Sequence, residues 1–243
     1  GPPFYNTVII PIVVLFLLFM SIGPQTKWIK NRSYNLNLII KILLGSIFVN
    51  FLIVHLFKSY SLISNFIIIS AVFLIISSLI DLYKSFRSQK IESPRVISHL
   101  AFGFLIFFIG LNYNFSLEKD FNLKLGETKK FENYSIEFKN LRLEESKNYK
   151  AVIGEFTINN SKKNLEQSLF PEIRIYENPP TITYEASIRT SLLKDYYITM
   201  SNIDRSDYYN IKFQKKPFMI WIWISVIFIT VGGFLRLIKN AKK

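Results

Sequence analysis

Apolar residues gather into five runs along the chain, Val8 to Ile22, Leu36 to Phe57, Leu62 to Ile80, Ile97 to Leu111 and Phe218 to Ile238. At about 1.5 Å per helical residue, most of them are long enough to cross a hydrocarbon layer of roughly 30 Å. The pattern therefore predicts about five transmembrane helices. Between the fourth and fifth runs the period changes to two. Tyr134, Ile136 and Phe138 alternate with Ser135 and Glu137; Ile173 and Ile175 alternate with Arg174 and Tyr176; Ile211 and Phe213 flank Lys212. These are strand patterns, separated by the turn formers Gly126, Asn159-Asn160-Ser161 and Asn178-Pro179-Pro180. The expected fold class is a polytopic α-helical membrane protein with one extracytoplasmic, antiparallel β-rich domain of about six to eight strands. The expected divisions are 1–112 for four helices, 113–216 for the β-rich domain, and 217–243 for a fifth helix with a basic tail.

Composition agrees, because 50% of the 243 residues are hydrophobic and 23 are Phe, which excludes an ordinary soluble globular protein. The net charge of +13 raises the question of nucleic acid, and its distribution answers it. Tyr113 to Lys216 holds 17 basic and 15 acidic residues, a net of +2, whereas the rest of the chain holds 13 basic and 2 acidic. The excess sits in short loops, as the positive-inside rule expects, so no nucleic-acid partner is expected and membrane lipid is. Lys27, Lys30 and Arg32, then Lys84, Arg87, Lys90 and Arg95, then Arg236, Lys239, Lys242 and Lys243 mark the cytoplasmic or matrix side. The hairpin around Lys58 and Tyr60 and everything from Asn112 to Lys216 fall outside. Lys41 and Asp81 lie near inner helix ends, where snorkelling accounts for them. Gly1 carries neither Met nor a charged leader, so a preceding segment is expected.

Zero cysteine excludes disulfides, thiolate nucleophiles and Cys-based zinc sites. No phosphate loop, HExxH or GxSxG occurs, so a hydrolase has little support. Glu118 and Asp120, just past the fourth run, read by themselves as a charged exit from the bilayer. His99 lies about one turn into the fourth helix, where an ionisable group is costly unless partnered. Two readings stand: an axial ligand for haem or a metal, or an interhelical hydrogen bond. Ala101 and Gly103 beside it would let a flat macrocycle or another helix approach. His55 lies some 18 residues into the second helix, which runs the same way, so its depth differs from that of His99 by roughly 20 Å. The two cannot ligate one haem from opposite sides. Trp221 and Trp223 fit an aromatic belt at the start of the fifth helix, with Pro217 opening it.

Several strings, in order, resemble one known family. Gly1-Pro2-Pro3-Phe4-Tyr5-Asn6 with Gly23-Pro24, Ser98-His99-Leu100, Asn114-Phe115-Ser116-Leu117-Glu118-Lys119-Asp120 and Gly126-Glu127 come first. Pro171-Glu172-Ile173-Arg174-Ile175-Tyr176, Thr183-Tyr184-Glu185-Ala186-Ser187-Ile188 and Lys194-Asp195-Tyr196-Tyr197 follow, then Lys216-Pro217-Phe218, Trp221-Ile222-Trp223 and Gly232-Gly233. Together they resemble the C-terminal portion of the CcmF family of cytochrome c-type biogenesis proteins, the haem lyase subunit of system I maturation. The likeness covers essentially the whole chain.

The resemblance implies a component of the cytochrome c haem lyase, which attaches haem to the CxxCH cysteines of apocytochrome c. Implied partners are a haem chaperone, apocytochrome c and thiol-handling maturation subunits. His99 is similar to an axial iron ligand of a transmembrane b-type haem in this family, and haem b is the implied cofactor, with its second ligand outside this chain. Glu118, Asp120, Glu172, Arg174, Glu185 and Asp195 are the further family-motif positions. The family's Trp-rich haem-handling segment has no counterpart here, so the chain is expected to be an incomplete lyase, completed by an N-terminal CcmF region or a sister subunit. The implied location is the bacterial inner membrane with the β domain periplasmic, or else the mitochondrial inner membrane. The alternative reading is a noncatalytic, membrane-anchored binding or assembly module. A transporter is disfavoured by the few intramembrane ionisable residues.

Overall fold

The computed structural model describes residues 2–23, 36–57, 61–87, 93–161, 165–203 and 206–241. The loops expected to carry Lys27, Trp28, Lys30, Arg32, Lys58, Tyr60 and Lys90, and the tail at Lys242 and Lys243, lie outside them. The chain divides into two compact units: a helical one from residues 1–115 and 218–243, and a β unit from Ser116 to Pro217.

The helical unit contains α1 (Pro2–Ile22), α2 (Leu36–Phe57), α3 (Leu62–Arg87), α4 (Ser93–Phe115) and α5 (Met219–Ala241). Among the described residues, α2 to α5 are long and apolar enough to cross a membrane, while the apolar stretch of α1, Thr7–Ile22, is shorter. Helix α3 is the hub, packing on α1, α2 and α4, while α5 packs on α4. Small and hydroxylated residues explain the hub. Lipid is as apolar as leucine, so helices associate where backbones approach closely and hydroxyls find partners. Ser77 Oγ donates to the Ser21 carbonyl of α1 at 2.6 Å, and Ser64 Oγ donates to the Gly110 carbonyl of α4 at 3.2 Å. Two expectations change here. Lys84 and Arg87 belong to α3 and Arg95 to α4, not to a loop, and Pro217 ends a strand; the Phe218 carbonyl accepts from the amides of Trp221 and Ile222 to start α5.

Among the described residues of the β unit, ten strands form two sheets, more than the six to eight expected. One sheet has the order β1 (Leu117–Leu123), β10 (Tyr209–Pro217), β9 (Lys194–Asn202), β8 (Ser187–Arg189). The other runs β2 (Thr128–Phe131), β3 (Tyr134–Glu145), β4 (Tyr149–Asn160), β6 (Glu172–Glu177), β7 (Pro180–Glu185), with β5 (Leu165–Leu169) also paired to β4. The extra strands β2, β5 and β8 have 4, 5 and 3 residues, too short to display an alternation. Asn159 and Asn160 end β4 instead of forming a turn, and the long strand β4 shares one edge between β5 and β6. Both sheets contribute to one apolar core containing Ile136, Phe138, Phe156, Ile198, Ile211 and Phe213, each fully buried. Gly126, at φ 82°, makes the left-handed turn before β2, where a side chain would be strained.

Candidate functional site

Helix α4 begins Ser93-Pro94; proline in a first turn gives up an amide that has no intrahelical partner there anyway. His99 follows one turn later, on the flank of α4 shared with Arg95 and Phe102. Arg95 Nη2 donates to Asp81 Oδ2 of α3 at 2.8 Å. Phe102 meets Phe16 of α1 edge-on, with centroids 6.1 Å apart. The imidazole is half-buried and makes no hydrogen bond to a described residue, so the interhelical hydrogen bond that competed with ligation is not formed among them.

The side of α4 that carries His99 packs on α3, and another face packs on α5. A methyl placed on Gly103 would lie 2.8 Å from Ile75 Cγ1, and one on Gly110 would lie 3.0 Å from Ile68 Cγ1, so both glycines admit α3. A methyl on Gly232 of α5 would lie 3.0 Å from the Pro94 carbonyl oxygen. The close approach at Gly103 is thus that of a helix, and the flat-macrocycle alternative for that residue is not realised. Ala101 lines an apolar cleft of about 360 Å³ between α4 and α5, with Phe104, Phe108, Trp221 and Phe228. At about 100° per residue, this cleft lies on the opposite side of α4 from His99. His55 stacks on Phe51 with centroids 6.1 Å apart near the end of α2. With one half-buried imidazole that makes no hydrogen bond to a described residue, the residues present fit a single ligand to a haem iron.

The motif positions of the β unit fall in three places. Glu118 of β1 pairs with Lys212 and accepts from Gln214 Nε2 at 2.9 Å; Asp120 lies opposite Lys212 in register. Glu172, Arg174 and Glu185 come together across β6 and β7. Arg174 Nε donates to Glu172 Oε2 at 2.8 Å, its guanidinium lies 4.8 Å from the Tyr149 ring, and Thr183 Oγ1 donates to Glu185 Oε1 at 3.0 Å. Asp195 stands apart, buried as the second residue of β9, where it accepts from the Ser191 amide of the preceding turn at 3.3 Å. Its carboxylate organises that turn. Among the described residues, no group of three or more His, Asp or Glu is placed to hold a metal ion.

A fourth cluster was not anticipated. The hydroxyls of Tyr196 and Tyr134 hydrogen-bond at 3.4 Å, Lys194 Nζ bonds to Tyr196 Oη, and Lys215 extends the same inner face. Burial pushes the Tyr196 hydroxyl up, but bonds to Lys194 and Tyr134 outweigh it and hold it below the usual tyrosine value. Burial and the bond to Tyr196 raise Tyr134. Carrying the alternation of Ile211 and Phe213 one step further would have marked Lys215 as inward-facing.

Residues 114–217 match the family described as the CcmF C-terminal beta-sandwich. Over 97% of its length the chain is 26% identical to the cytochrome c-type biogenesis protein CcmF of Haemophilus influenzae, and over 98% it is 24% identical to that of Escherichia coli. It spans 38% and 37% of those relatives, well under half of each. Its fold matches a solved structure titled cytochrome c heme lyase CcmF with a TM-score of 0.76 at 17% identity, over 96% of this chain and 40% of that one. The β unit belongs to the family of CcmF C-terminal beta-sandwiches, and the chain as a whole is similar to the C-terminal part of CcmF cytochrome c-type biogenesis proteins.

Proposed function

We propose that this chain is one part of a cytochrome c haem lyase, assisting covalent attachment of haem to the CxxCH cysteines of apocytochrome c. The observation that carries the reading is the match to CcmF relatives along nearly the whole chain, helices and sandwich together. On this reading the sandwich is extracytoplasmic, lies in the chain between α4, which ends at Phe115, and α5, which begins at Met219, and meets the haem chaperone, apocytochrome c or thiol-handling subunits. The remaining CcmF sequence, fused or separate, completes the lyase.

His99 would supply one ligand to the iron of a b-type haem, and a histidine outside this chain would supply the other. Support comes from its half-buried ring, which makes no hydrogen bond to a described residue, and from the depth mismatch that disqualifies His55. Haem, when bound, supplies a one-electron iron couple; this chain contributes a half-buried imidazole carried on α4. Glu118, Asp120, Glu172, Arg174, Glu185 and Asp195 belong to the partner-facing sandwich, and their first role is to fix its strands and turns.

The test is co-expression with the remaining CcmF sequence, followed by a haem spectrum and a thioether-formation assay. His99→Ala reduces haem content and cytochrome c maturation, and exogenous imidazole partly restores both; His55→Ala changes little. A full and spectrally unchanged haem complement in His99→Ala would sink the ligation.

A further inference from the structure

Side chains alternate across a strand, so the inner face of β9 reads Lys194, Tyr196, Ile198, Met200, and that of β10 reads Ile211, Phe213, Lys215. In register, Lys215 pairs with Tyr196 and Pro217 with Lys194. An otherwise apolar file thus ends in two half-buried, inward-facing lysines. Lys194 Nζ bonds to Tyr196 Oη and lies 4.7 Å from the centre of that ring and 6.0 Å from that of Tyr134. Asn160, buried at the end of β4, bonds to both tyrosines.

The charge balance sets these lysines apart. Lys139 and Lys150, which face outward, pair with Glu166 at 3.0 Å and Glu177 at 3.1 Å, and Lys212 pairs with Glu118. Neither Lys194 nor Lys215 forms an ion pair with a described residue. Among the described residues, the carboxylate that acts on Lys215 is Glu132, in the β2–β3 turn and at a distance. Two half-desolvated ammonium groups side by side are costly without an anion. With the tyrosine hydroxyls they form a donor-rich mouth suited to a phosphate.

Chain connectivity names the source. Lys215 lies opposite Leu117, the first residue of β1, two residues past the last residue of α4. Pro217, opposite Lys194, ends β10 two residues before α5 begins. The mouth is therefore at the end of the sheet by which the chain enters and leaves two membrane-length helices. Lipid headgroups are the anions concentrated where such helices leave the bilayer, and tyrosines favour that level. We propose that Lys194 and Lys215, with the hydroxyls of Tyr134 and Tyr196, bind the phosphate headgroup of an anionic phospholipid. The proposal rests on α4 and α5 crossing the membrane and is independent of the haem reading.

The test uses the full chain in nanodiscs of phosphatidylglycerol and phosphatidylcholine, with a trace of phosphatidylglycerol carrying a photoactivatable headgroup. Irradiation is expected to attach lipid to peptides of β9 and β10, with labelling reduced about fivefold per lysine lost in Lys194→Gln/Lys215→Gln. Lys212→Gln, on the outward face, labels as the unaltered chain does. Lys215→Met, which keeps an apolar stem in the core, provides a folded variant if the double change unfolds the sandwich, and it too must lose about fivefold. Excess phosphatidylglycerol displaces the probe and excess phosphatidylcholine does not. Unchanged labelling in both lysine variants overturns the proposal, as does full displacement by inorganic phosphate alone, which would indicate a soluble anion. A companion probe in the acyl chain that labels neither α4 nor α5 would overturn the membrane-crossing premise instead.

Discussion

Arg95 of α4 and Asp81 of α3 meet at 2.8 Å, one turn before His99, and join the two helices that flank the imidazole. Asp81 was expected to snorkel towards the interface; it instead turns to a partner on the neighbouring helix. Its side chain is 17% exposed and that of Arg95 39%, and the buried Arg95 Nε has no hydrogen bond among the described residues. Asp81→Asn should cost about 1–2 kcal/mol, less than the roughly 3–5 kcal/mol of breaking a fully buried pair, because water still reaches Arg95. Thermal unfolding in detergent measures this, and Asp81→Asn/Arg95→Gln should cost less than the sum of the single changes.

Phe138 and Phe156 stack across β3 and β4 with centroids 4.4 Å apart, both fully buried. Phe138→Ala is expected to destabilise the sandwich by about 3–5 kcal/mol through lost burial and the remaining cavity. Leu143→Ala, at an 80% exposed position of the same strand, should stay within about 0.5 kcal/mol. Urea unfolding of the full chain followed by tyrosine near-ultraviolet dichroism separates the two.

Gly103 and Gly233 should respond oppositely to a methyl group. At Gly103 the added carbon meets Ile75 of α3, and Gly103→Ala should cost about 1–3 kcal/mol through overpacking. At Gly233 nothing lies within 4 Å, so Gly233→Ala should be neutral or stabilise α5 by up to about 1 kcal/mol. Melting temperatures of the two variants in one detergent provide the comparison.

Burial pulls the Lys215 ammonium below its ordinary value, reinforced by Lys194 and opposed by Glu132. The unfolded chain therefore holds this proton more tightly than the folded one, and the charge opposes folding at neutral pH. Lys215→Met should raise the urea midpoint at pH 7 in phosphate-free neutral detergent. The advantage should shrink as pH rises through the depressed folded value towards the unfolded lysine value of about 10.4, where both states are neutral. A pH-independent difference between the two chains would contradict this assignment.

Features that depend on local period were legible in the sequence. The apolar run Leu36 to Phe57 coincides with α2, the run beginning at Leu62 opens α3, and Tyr134, Ile136 and Phe138 point into the core. The imidazole of His99 could likewise be placed one turn or so into a helix, since helical advance is fixed per residue. Partner choice could not be read this way. The division of one edge of β4 between β5 and β6, the closure of α3 on Gly103, the pairing of Asp81 with Arg95, and the meeting of Tyr134 with Tyr196 across 62 positions depend on which surfaces fit. Alternation states which side a residue faces, but burial, close approach and charge pairing are set by residues distant in the chain, and only the tertiary structure brings those together.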